Sequence, residues 1–91
     1  MTKIFARHNV EDFDRWREIF EGEFSVGVRQ AGGMIDTTIY RSVDDPNDVT
    51  VVQTFRSVEA AKSYLRLSGL NDRMAAAGVL GRPSIWIVDE V

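Results

Sequence analysis

The sequence contains no cysteine, which excludes a disulfide framework, a thiolate metal site and a cysteine nucleophile. It has one histidine, His8, so no cluster of imidazoles is available to a transition metal. Basic residues do not form a block. The 11 Lys+Arg are scattered from Lys3 to Arg82 against 14 Asp+Glu, and a formal net charge of -3 argues against a nucleic-acid partner. No apolar run is long enough to span a bilayer, and Met1 to His8 carries isolated apolar residues rather than a signal-peptide core. The expectation is a cytoplasmic protein with no membrane contact. No Gly-rich phosphate loop is present, because Gly32-Gly33 closes a helical stretch instead of opening one. With no flavin, nicotinamide or metal fingerprint readable, the expected cofactor is none.

What is present suffices for a core. Hydrophobic residues make up 44% of 91 residues and charged ones 27%, the balance of one folded domain over residues 1–91. A chain this short buries a smaller fraction of its surface than a larger one, so a second copy is a natural way to enlarge the core.

From Lys3 to Val10 the residues alternate between two sets, Ile4, Ala6, His8, Val10 and Phe5, Arg7, Asn9, the period of a strand. Asp12 is suited to cap a helix. Phe13, Trp16, Phe20 and Phe24 then recur at helical spacing on one stripe, with a bend expected near Gly22 and a stop at Gly32-Gly33. Met34 to Arg41 and Thr50 to Phe55 are β-rich runs joined by Asp44-Asp45-Pro46-Asn47-Asp48, a hairpin with a solvated turn. Ser57 opens a helix through Ala60, Ala61, Tyr64 and Leu65, and Gly69 interrupts it. A short helix starting at Ser68 or Asn71 is stopped by Gly78, and a last strand, Ser84 to Val88, follows Pro83.

The order β-α-β-β-α-β predicts an α+β, ferredoxin-like fold, a four-stranded antiparallel sheet with the helices on one face. Both strand parities are bulky. Phe5, Tyr40, Val52, Trp86 and Val88 oppose Ile4, Ile39, Val51, Ile85 and Ile87, so both faces of the sheet must be covered. Helices cover one face only, and the sheet of an identical subunit is the simplest cover for the other.

Three stretches carry a resemblance: Arg7-His8-Asn9-Val10-Glu11-Asp12-Phe13-Asp14-Arg15-Trp16, Tyr40-Arg41-Ser42-Val43-Asp44-Asp45-Pro46-Asn47 and Ala77-Gly78-Val79-Leu80-Gly81-Arg82-Pro83. Together they resemble small bacterial proteins of the dimeric α+β barrel superfamily related to the antibiotic-biosynthesis monooxygenase domain. The resemblance implies a homodimer whose two sheets pair into a barrel, with a pocket between sheet and helices in each subunit. It also implies a small-molecule enzyme, a cofactor-independent monooxygenase or polyketide-cyclase-like enzyme acting on an aromatic or hydrophobic metabolite. The alternative is a non-catalytic homodimer that binds such a metabolite or serves a structural role.

His8 is the catalytic candidate, because imidazole alone titrates near neutrality and its parity partners are apolar. The competing reading is a structural histidine hydrogen-bonded to a helix or turn. Trp16, Phe20, Tyr40, Tyr64 and Trp86 are the candidate ligand-binding residues, though rings at helical spacing also pack cores. Arg7 and Arg41 are expected to clamp a carboxylate or to form ion pairs across the dimer interface.

Overall fold

In the computed structural model, which describes residues 1–67 and 69–91, the chain runs β1 (Thr2–Val10), α1 (Phe13–Phe20), α2 (Glu23–Ala31), β2 (Met34–Arg41), β3 (Asp48–Phe55), α3 (Val58–Leu65), α4 (Leu70–Ala76) and β4 (Val79–Asp89). The β-α-β-β-α-β order holds, with each helical stretch divided in two. The strands form one antiparallel sheet in the order β2-β3-β1-β4. Among the described residues no helix is long and apolar enough to cross a membrane.

Capping explains where α1 and α3 begin. The Asp12 carboxylate accepts from the backbone N–H of Asp14 and Arg15 at 3.0 and 3.3 Å, filling orphan donors of the first turn of α1. Ser57 Oγ accepts from the Ala60 N–H at 3.1 Å and opens α3. Gly22 is extended rather than helical, so the stretch expected to bend there breaks outright. That break corrects the aromatic stripe. Phe13 and Trp16 are buried and Phe20 partly so, but Phe24, re-aimed on α2, is 76% exposed. The short helix α4 begins at Leu70 after Gly69, with Asn71 already inside it; the alternative start at Ser68 lies outside the described residues.

The last strand is the second correction. It begins at Val79, not after Pro83, because β4 is a sheet edge where the missing proline N–H leaves no interior ladder bond unmade. Opposite β1 the register jumps from Arg7↔Ser84 to Asn9↔Leu80, leaving Gly81, Arg82 and Pro83 on β4 facing His8 alone. Gly81 turns this bulge at φ +66, a region costly for any residue with a Cβ.

Burial on the helix side falls into two groups. Val10, Val49 and Val51 pack under Phe13, Trp16 and Ala77, while Ile4 and Phe55 pack under Ala61 and Tyr64. Each fully buried Ile, Val or Phe side chain contributes roughly 1.5–3 kcal/mol from its removal from water. A domain of this size ordinarily closes one continuous core. Here a gap separates two.

Candidate functional site

That gap is a cavity of about 110 Å³ between the inner face of the sheet and all four helices. Members of both packing groups wall it, Trp16 and Val51 from one and Ile4 and Tyr64 from the other. The strand alternation that places Ile4 and Ala6 on its floor places His8 there too. Ile85, though on the inner parity of β4, is 39% exposed and marks the open side of the cavity.

His8 is 9% exposed, and its ring meets Trp16 edge-on at a centroid separation of 5.6 Å. Its Nδ1 is buried with no hydrogen-bond partner among the described residues. Burial holds the imidazole below its ordinary pKa of 6.5, offset in part by its own peptide group and by the Asp48 charge. The ring is therefore neutral near pH 7 and lines a largely apolar chamber. Trp16 stacks on Phe20 at 4.8 Å, and the two rings form one wall. Tyr64, from α3, lies across from them. Burial raises its phenol above the ordinary value of 10.0, countered by the nearby charges of Arg29 and Arg73 and by Gln53. Gly32 makes room for this ring, since a Cβ there would come within 2.8 Å of Tyr64 Cδ1.

The structure thus gathers His8, Trp16, Phe20 and Tyr64 around one cavity. It does not bring Tyr40 and Trp86 to it. They pair with Thr50 and Phe5 on the opposite parity and stand 56% and 52% exposed on the outer face of the sheet, so the expectation of one pocket lined by all five rings is corrected. The arginines also find partners within the chain. Arg7 grips Asp48 through two hydrogen bonds of 3.0 and 2.6 Å, and the Arg41 guanidinium lies over the Phe13 ring at 4.5 Å. In the acidic turn Asp45 accepts from the Asn47 N–H at 2.9 Å, and among the described residues no group of three or more potential ligands could hold a metal ion.

Sequence reasoning missed Arg29, Gln53 and Arg73, which also line the cavity. Gln53 left a signal, a lone polar residue on the parity shared by Val49, Val51 and Phe55. Arg29 left none, because the break at Gly22 resets the helical period.

No protein-family model and no curated protein sequence matches the chain. Solved structures do. An antibiotic biosynthesis monooxygenase superposes with a TM-score of 0.73 at 14% identity, covering 100% of this chain and 99% of the other. SnoaB, a cofactor-independent oxygenase from Streptomyces nogalater, gives 0.77 at 14% identity, over 99% of this chain and 92% of the other. The monooxygenase from the gene ActVA-Orf6 of Streptomyces coelicolor, solved with the ligand nanaomycin D, gives 0.76 at 16% identity, over 99% and 87%. Over essentially its whole length, then, the chain has the fold of the antibiotic biosynthesis monooxygenases.

Proposed function

We propose that the protein is a small-molecule enzyme of the cofactor-independent monooxygenase or polyketide-cyclase-like type, acting on an aromatic or hydrophobic metabolite in the cavity between sheet and helices. One observation carries this reading: a buried, neutral imidazole with an unused Nδ1 opens onto a cavity walled by aromatic rings. Such a site asks little of the protein. His8 takes a proton from an acidic phenol or enol, Trp16 and Phe20 hold the flat anion, and the apolar walls exclude water while the anion meets oxygen. The similarity in fold to an oxygenase described as cofactor-independent supports the same chemistry.

The functional unit in this proposal is a homodimer. Phe5, Tyr40, Trp86 and Val88 form an exposed row of large side chains on the outer face of the sheet, and the same face of a second copy covers it.

The test is oxygen uptake by the purified protein with 1,3-dihydroxynaphthalene as probe, comparing wild type with His8→Ala. The expected result is uptake above the buffer rate that falls on the order of 10²–10⁴-fold in the variant, since a positioned general base contributes that much. Melting should fall only by the loss of the ring's packing on Trp16, because among the described residues Nδ1 makes no hydrogen bond to lose. A sharp drop in melting temperature with unchanged uptake removes His8 as base. The absence of any carboxylate from the cavity wall among the described residues favours the non-catalytic, metabolite-binding reading, which prevails if wild type binds the probe and consumes no oxygen.

A further inference from the structure

The charge of the cavity is one-sided. In a chain with more acidic than basic residues, its wall carries Arg29 and Arg73 and, among the described residues, no aspartate or glutamate. Arg29, from α2, is 7% exposed and is the only residue of that helix to be buried. Its Nη2 donates to the Phe20 carbonyl at 2.6 Å, and its guanidinium lies 3.7 Å from the centroid of the Phe20 ring. These contacts fix the group in place. They do not neutralise it, for no carboxylate comes within ion-pair distance of Arg29 among the described residues. Glu21, the acid whose charge reaches Arg29, is engaged by Arg17 at 2.8 Å. His8 and Tyr64 are both held neutral by burial and supply no negative charge. A guanidinium taken out of water without a counter-ion is costly, and the usual resolution is an anion beside it. The anion has to enter through the open side of the cavity.

We propose that the cavity takes its ligand as an anion, a carboxylate or an ionised phenol or enol on an aromatic frame, with the Arg29 guanidinium as its counter-ion. This deepens the preceding proposal and rests on it, since the same cavity and rings hold the aromatic part. A guanidinium beside the site also suits the proton transfer to His8, which leaves negative charge on the ligand that Arg29 stabilises. Arg29 is accordingly a specificity-determining residue, and uncharged isosteres of the ligand bind poorly.

The experiment is calorimetric titration of the full chain at about pH 8, where a carboxylate is fully ionised, with 2-naphthoate and its uncharged near-isostere 2-naphthamide. Wild type should bind naphthoate roughly tenfold tighter or more, the scale of one charge-assisted hydrogen-bonded contact. Arg29→Gln should abolish the preference, and Arg29→Lys, which keeps the charge but not the planar fork, should retain it with weaker binding. Circular dichroism identifies folded variants; should Arg29→Gln fail to fold, wild type and Arg29→Lys decide between them. Equal affinity for the two probes in wild type overturns the anion assignment and leaves the aromatic cavity standing. A preference that survives undiminished in folded Arg29→Gln, or vanishes in folded Arg29→Lys, overturns the role of Arg29. Binding of neither probe overturns this inference together with the aromatic site beneath it.

Discussion

Both faces of the sheet carry large apolar side chains, and their fates are opposite. Ile4 and Val51 lie fully under helices, whereas Trp86 and Tyr40, larger and as apolar over most of their surface, stand open on the other side. Strand alternation decides which residues share a face; what covers that face is decided by the rest of the chain or by another one. The inner face itself is uneven. Where α2 and α4 span it, both short and contributing a single buried residue between them, Arg29, the packing parts and the cavity opens. The outer face carries its exposed rings among polar residues such as Lys3 and Arg7, while the inner face holds the cavity.

Breaking the inner face should have the largest effect. Phe55 is fully buried and lies outside the cavity wall, so Phe55→Ala should cost roughly 3–5 kcal/mol in chemical denaturation without altering the mass of the assembly in light scattering. A loss under 1 kcal/mol, on the order of a surface change, would show that Phe55 is not held in a close-packed interior. The outer face calls for the converse result. Trp86→Asp should weaken dimerisation on the order of a hundredfold, about 2–3 kcal/mol, and yield a folded monomer in light scattering. If the face is instead open to water, the substitution leaves mass and stability as they were, and the paired-sheet proposal fails.

The smallest effect concerns pH, and it belongs to the inner face alone. Burial depresses the His8 pKa in the folded state below 6.5, so just below that pH the unfolded chain binds more protons than the folded one. Stability therefore falls as pH drops from 6.5 through the folded-state value, flattens below it, and gains nothing from His8 above 6.5. The acid limb of any His8-dependent activity should likewise have its midpoint below 6.5. Denaturation of wild type and His8→Ala across this window checks the sign, since the variant should lose the slope; a midpoint above 6.5 would mean that the ring is not desolvated.

Much of this architecture was legible in the residues because its signals are local. The period of two from Lys3 to Val10 assigned His8 to the face of Ile4 and Ala6, Asp12 and Ser57 marked helix starts, and the acidic turn marked the hairpin. Other features misled. Pro83 read as a strand boundary because proline lacks a ladder donor, but at an edge with a glycine-turned bulge that lack costs nothing. Phe24 continued a helical stripe that the break at Gly22 had already ended. Tyr40 and Trp86 were grouped with the cavity by residue type, although their parity already separated them from Ile39 and Ile85.

The sequence by itself determined the order of elements, the face to which each strand residue belongs and the presence of more apolar surface than two helical stretches cover. All of these follow from periodicities and caps that act over a few residues. The tertiary structure alone decided that the inner packing divides, that His8 is buried in the gap with its Nδ1 unpartnered among the described residues, and that Arg29 is buried in the same cavity with no carboxylate at ion-pair distance among them. Those outcomes depend on how the helices, broken at Gly22 and after Leu65, fill the space above the sheet, and volume is matched only between elements far apart in the chain.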